Sequence, residues 1–106
     1  MTLQNLIKQV LEKPRVKVET ETLEVIYASR KDGVFTMNSE AEKLQLNEGD
    51  KELKTKMISE KYCPGKDYFI EVVFLEEMLN GIGIKDTPSK INKRIEAIIE
   101  FIEKDG

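Results

Sequence analysis

The sequence of 106 residues contains no histidine, no tryptophan, one cysteine and three prolines. Without histidine there is no Ser-His-Asp or Cys-His catalytic pair, no imidazole ligand for zinc, and no side chain that ordinarily titrates near neutral pH. The lone thiol, Cys63, cannot form an intramolecular disulfide, so a reducing cytoplasm is the expected compartment. Its neighbours Lys61 and Lys66 are cations but not bases, and no second cysteine exists to resolve an oxidised form; Cys63 reads as structural. No run approaches the roughly 18 apolar residues of a membrane span. Residues 1–5 also lack the basic and apolar regions of a secretory leader, and no membrane association is expected.

What is present is 40% hydrophobic and 35% charged, enough for one modest core and too apolar for a disordered tail. A single domain over residues 1–106 is expected. The net charge of −3 lacks the basic excess of a typical nucleic-acid binder, yet it hides blocks of alternating sign. Residues 51–66 hold five lysines against Glu52 and Glu60; residues 67–80 hold Asp67, Glu71, Glu76 and Glu77 and no cation. Such blocks ordinarily form solvated faces that pair between neighbouring elements, and they can also steer a charged partner.

Hydrophobic spacing predicts the elements. Thr2 caps a first helix with Leu3, Leu6, Ile7, Val10 and Leu11 on one face, ended by Pro14. Val16, Val18, Thr20 and Thr22 alternate with charged residues as in a strand, and Leu23, Val25 and Tyr27 take the opposite parity, which places a turn or bulge near Glu21-Thr22. Lys31-Asp32-Gly33 is a hairpin turn signal, and Val34-Phe35-Thr36-Met37 reads as the next strand. Ser39-Glu40-Ala41-Glu42 matches a capping box and predicts a short helix. After the turn at Asn47-Glu48-Gly49-Asp50, Asp50 is expected to cap a helix carrying Leu53, Met57 and Ile58, broken at Cys63-Pro64-Gly65. Length favours a helix over 68–80, with a strand to Phe74 followed by one helical turn as the alternative. The last helix is capped by Thr87, has Pro88 at its first position, and carries a seam of Ile91, Ile95, Ile98 and Ile102. The fold class expected is α+β: an N-terminal helix, a small antiparallel sheet of two or three strands, and a helical C-terminal half.

That last helix breaks a local rule. Lys90, Lys93 and Arg94 fill its first half and Glu96, Glu100, Glu103 and Asp105 its second, the reverse of what the helix dipole favours by about 0.3–1 kcal/mol per charge. Lys90, Arg94, Ala97 and Phe101 fall on one stripe beside the isoleucine seam. Either Phe101 widens the core face and the bases are ordinary surface, or the stripe is a partner site with a small central residue, an aromatic anchor and two cations. Phosphate binding is the competing use. Leu79-Asn80-Gly81-Ile82-Gly83 is similar over five residues to the Gly-hydrophobic-Gly hairpin of helix-hairpin-helix DNA-binding elements, whose amides face a phosphate. There the second helix follows at once, whereas here Thr87-Pro88 delays it. With Lys85, Lys90, Lys93 and Arg94, Gly81 and Gly83 would form that surface.

Carboxylates are the remaining candidate catalytic groups, and Glu71 and Glu76 do not share a helix face as an acid–base pair would. The expectation is a non-catalytic protein-interaction module, such as a small inhibitor, adaptor or regulator, meeting an acidic protein partner through Lys90, Arg94, Ala97 and Phe101. A nucleic-acid-associated regulator is the alternative, and a small carboxylate-based enzyme or ligand sensor the third. No cofactor and no metal are expected, and a monomer is preferred over a homodimer because the isoleucine seam serves the chain's own core. With no histidine and one cysteine, the purified protein should carry no stoichiometric zinc by elemental analysis, and chelator should leave its melting curve unchanged.

Overall fold

Leu3, Leu6, Ile7 and Val10 recur at helical spacing and are all buried along α1 (Leu3–Glu12). Its N-terminus is capped as the sequence predicts, with the Asn5 N–H donating to Thr2 Oγ1 at 3.2 Å. The computed structural model describes residues 1–12, 23–83 and 85–105. The predicted stop at Pro14, the predicted strand over 15–22 and the bulge near Glu21-Thr22 lie outside the described residues. Then come β1 (Leu23–Ala28), β2 (Ala41–Leu46), the single turn α2 (Glu48–Lys51), α3 (Thr55–Tyr62), β3 (Asp67–Glu71), α4 (Val72–Met78) and α5 (Pro88–Asp105). The strand order is β2-β1-β3, antiparallel at both junctions. This is the expected α+β class with an N-terminal helix and a helical C-terminal half.

β1 is the centre because it is apolar on both faces. Ile26 and Ala28 join a cluster with Leu6 and Val10 of α1, Leu75 of α4, and Ile95 and Ile98 of α5. Val25 and Tyr27 point the other way, to Leu46, Ile58 of α3 and Cys63. Helices therefore cover both faces of the sheet. The register matches: Val25 faces Leu44, Leu23 faces Leu46, and Ala28 faces Ala41 across the β1–β2 ladder. Toward β3 it shifts, with Ile26 opposite Ile70 and Tyr27 opposite Tyr68, so Phe69 is the extra residue of a bulge. Phe69 and Ile70 consequently both enter the larger cluster. Tyr27 is fully buried, and its hydroxyl donates to the Thr55 carbonyl at 3.0 Å. Burial, with smaller contributions from Cys63 and Tyr68, pushes that phenol up to about 12.

Four sequence expectations are corrected. Residues 34–37 are a loop. The turn itself is present, with Asp32 at φ 53° and Gly33 at φ 82° bridging Lys31 and Val34. The backbone beyond it bonds to helices instead of a strand: the Phe35 N–H donates to Glu103 Oε1 at 2.8 Å, and the Met37 carbonyl accepts the Gln4 N–H at 3.0 Å. The helix expected from Ser39 is a strand, because Leu44 and Leu46 are two apart and both face the side of the sheet lined by Val25 and Tyr27. The Ser39 hydroxyl accepts from the Thr36 N–H at 2.9 Å and closes a turn. Asp50 caps no following helix: it sits within α2, and α3 starts at Thr55 after Lys54, leaving Met57 exposed. The helix over 68–80 is a strand followed directly by a helix of two turns, because Tyr68–Ile70 complete the ladder on β1. That order follows the alternative reading, with the change at Val72 instead of Phe74.

One side chain ties the sheet to the C-terminal helix. Arg30, just after β1, reaches Asp67 Oδ2 at 3.2 Å, the Gly33 carbonyl at 3.2 Å and Glu103 Oε1 at 3.0 Å. Its guanidinium lies 4.1 Å from the centroid of Phe35, which itself meets Phe69 edge-to-face at 5.1 Å. At the other end of α5, Thr87 Oγ1 accepts the Lys90 N–H at 3.2 Å, as its capping role requires. Ile98 is 2% exposed in the same cluster as Leu6 and Val10. Ile98→Ala should cost about 2–5 kcal/mol, read as a lower denaturant midpoint at unchanged slope.

Candidate functional site

Three residues of the expected partner stripe, Lys90, Ala97 and Phe101, lie on the outer side of α5, and Arg94 does not share their role. Phe101 is 55% exposed, and Ala97 and Lys90 are also exposed, whereas Arg94 is half-buried. Phe101 therefore does not widen the core face. The buried face of α5 is built by Ile91, Ile95, Ile98 and Ile99, and Ile102 packs at its margin. At about 100° per residue Lys93 and Lys104 fall on the same outer arc as Lys90, Ala97 and Phe101. Lys90 pairs with Asp86 at 3.2 Å and Lys104 with Glu100 at 2.9 Å, both one turn apart and exposed. The hydrogen bond from Lys104 holds the Glu100 carboxyl below its ordinary value and raises Lys104 in return. Arg94 is turned inward. It donates to the Met78 and Asn80 carbonyls, both at 3.0 Å, satisfying acceptors that the end of α4 leaves without helical partners.

The Gly81–Gly83 segment is committed internally. Gly81, at φ 87°, takes the left-handed conformation that lets the chain leave α4. The Gly83 N–H, the donor a phosphate would need, donates to Asp86 Oδ2 at 2.7 Å, and the Ile82 N–H to the Leu79 carbonyl at 3.2 Å. The Gly83 amide first, and then Lys90, hold the Asp86 carboxyl below its usual value. A carboxylate of the chain thus occupies the place of the anion. Lys85 and Lys93 are exposed nearby, and Lys93 forms no ion pair among the described residues. The structure brings Lys85, Asp86, Lys90 and Gly83 to one turn, with Arg94 directed away toward α4.

Other polar groups are placed for structure. A cleft of about 370 Å³ between α3 and the start of β3 is lined by Thr55, Ser59, Glu60, Lys66 and Tyr68. The Ser59 hydroxyl donates to the Lys66 carbonyl, with the Cys63 carbonyl at 3.3 Å sharing the proton, so that proton is held by the backbone. The Cys63 thiol is buried, and burial pushes it up further from the thiolate, with Glu42 adding to this and Lys66 opposing it. Among the described residues no cluster of three acidic or thiol side chains could hold a metal ion. No helix among them is long and apolar enough to cross a membrane.

Two polar clusters were missed from sequence. Arg30 with Glu103 is one, and its partners lie 73 residues apart. Asp50 is the other: its side chain is 3% exposed and accepts from Tyr62 Oη at 2.7 Å and Lys61 Nζ at 2.9 Å. It also closes a reciprocal cap with Asn47, a pattern visible in the sequence as Asn47-x-x-Asp50. Comparison of the chain with protein families, with curated proteins and with solved structures finds no match.

Hydrogen bonds from Tyr62, then Lys61, hold the Asp50 carboxyl below its ordinary value, and Asp86 and Glu100 are shifted the same way. A depressed folded value makes the stabilisation complete above about pH 4–5 and removes it as pH falls through the folded value. The melting temperature should hold from pH 7 to about 5 and drop below about pH 4. Asp50→Asn should begin lower at pH 7 and lose less on acidification.

Proposed function

We propose that this chain is a non-catalytic protein-interaction module whose docking face is the outer side of α5. One observation carries the reading: Phe101 stands 55% exposed on a helix whose isoleucines are otherwise committed to the core. An exposed aromatic beside a small residue, Ala97, offers an anchor and room for close approach. Lys90, Lys93 and Lys104 along the same arc favour a partner that brings carboxylates to an apolar contact. Arg94, expected to share this role, supports it only indirectly by fastening α5 to the end of α4.

The nucleic-acid reading has less support. Asp86 already takes the Gly83 amide, and Glu96, Glu100 and Glu103 rim the groove of about 350 Å³ that runs beside the stripe against Phe35 and Met37. Carboxylates along that edge repel a phosphate backbone. Among the described residues, Ser59 and Cys63 give an enzymatic reading little support, since the Ser59 hydroxyl is bonded to backbone carbonyls and the Cys63 thiol is buried.

A photoreactive benzophenone side chain at position 101 tests the face directly. Irradiation in cell extract should yield a protein adduct from position 101 and none from the exposed Val34, and nuclease treatment should leave the adduct intact. Phe101→Ser should abolish competition for that adduct while shifting stability by no more than about 0.5 kcal/mol. Loss of the adduct with nuclease would assign the face to nucleic acid; absence of any adduct would remove α5 as the docking face.

A further inference from the structure

α4 turns one side into the core and leaves the other uncovered. Val72, Leu75 and Leu79 are buried, whereas Val73 is 41% and Phe74 51% exposed. At about 100° per residue Val73, Phe74 and Glu77 share the outer side of this helix, and Glu76 lies between Val73 and Leu79 around it. A valine and a phenylalanine exposed side by side, on a helix whose core contacts are already made, form an apolar patch with a polar rim, as contact surfaces do. The patch continues into a cleft of about 190 Å³ between the ends of α1 and α4. Among the described residues Val10, Leu11, Leu79 and Ile82 line that cleft, and Glu76 stands at its edge on the side of Val73.

Charge selects the occupant. Residues 67–80 hold no lysine or arginine, and Glu71, Glu76 and Glu77 form no ion pair among the described residues. Glu76 and Glu77 stand in the last turn of α4, where the carbonyl end of the helix is itself negative and cations are favoured. Arg94 is bonded to that end, and it is taken up by the Met78 and Asn80 carbonyls, not by the two carboxylates. We propose that the outer side of α4 and the adjoining cleft dock a cationic amphipathic helix of another protein. An aliphatic side chain of the partner enters the cleft, and its lysines or arginines meet Glu76 and Glu77. Their stems cover Val73 and the Phe74 ring on the way. A ridge beside a groove between two helices is the geometry that receives a helix. A second copy of the chain is a poorer occupant, because on its exposed basic helix Lys90 and Lys104 are already paired with Asp86 and Glu100. The α4 face is distinct from the outer arc of α5 and opposite in charge, so the inference stands apart from the reading of that arc.

A fluorescently labelled peptide of leucine and lysine, about four helical turns long with its leucines on one face, tests this when titrated with the full chain. A leucine–glutamate peptide of the same pattern is its counterpart. The lysine peptide should bind and the glutamate peptide should not. Phe74→Ser and Glu77→Lys, both at exposed positions, should each raise the dissociation constant by about tenfold or more. Glu60→Lys makes the same change in net charge at an exposed position on α3 and should raise it by no more than about twofold. Phe101→Ser should leave it unchanged, and thermal melts of each variant confirm the fold. No binding of the lysine peptide up to about 1 mM overturns the proposal, as does equal binding of both peptides. Equal losses from Glu77→Lys and Glu60→Lys overturn it by reducing the attraction to net charge. A loss confined to Phe101→Ser overturns it by moving the contact to α5. A chain mass that rises with concentration in sedimentation equilibrium, and stays at 12.2 kDa in Phe74→Ser, gives the face to a second copy and overturns the foreign helix.

Discussion

Four consecutive residues of β1, Val25 to Ala28, must desolvate on both sides at once, and the remainder of the molecule is arranged to let them. Ile26 and Ala28 belong to the cluster under α1, α4 and α5, while Val25 and Tyr27 belong to the one under α3. Neither half closes without the strand between them. The ladders to β2 and β3 satisfy its backbone groups, which would otherwise be costly to bury. The bulge at Phe69 extends the same constraint: a regular ladder would put Phe69 and Ile70 on opposite faces, and the shift sends both into the larger cluster. A sheet of three short strands is thereby enough to organise helices on either side.

The charges of α5 answer to their surroundings more than to the helix that bears them. Arg94 stabilises the carbonyl end of α4, a position where a cation is welcome, although it stands in the wrong half of its own helix. Glu103, near the C-terminal end, is offset by Arg30 and by the Phe35 amide. With its inner face packed and both ends fastened, α5 presents only its outer arc. That arc collects an aromatic, a small residue and lysines that the fold itself does not require. The same logic weakens the phosphate reading, since the Gly83 amide is closed by Asp86, a side chain from the turn that delays α5.

Polar groups that would draw attention in a search for chemistry are held by the backbone or by one another. Ser59 joins α3 to the start of β3 through the Lys66 carbonyl. Asp50 gathers Asn47, Lys61 and Tyr62, so that the single turn α2 is held against α3 by a nearly inaccessible carboxylate. Both arrangements lend the small helical layer a specificity that the modest cluster around Ile58 and Cys63 would not provide alone.

The sequence by itself determined α1, α5, the Asp32-Gly33 turn and the α+β class. In each case the causes are local: apolar residues at helical spacing, hydroxyls of Thr2 and Thr87 bonding amides three residues on, and two residues that take positive φ. It also showed that Lys90, Arg94, Ala97 and Phe101 share a stripe, because helix geometry alone sets that. Only the tertiary structure decided that residues 41–46 are a strand, since Leu44 and Leu46 suit either a short helix or a ladder until Val25 and Leu23 stand opposite them. Only it decided that the strand at 67–71 yields to a helix at Val72. It alone turned Arg94 inward and left Phe101 outside, because those choices depend on carbonyls of α4 and on a core already filled by isoleucines. Periodicity reports which side of a helix a residue is on; what lies on that side is set by contacts between residues distant in the chain.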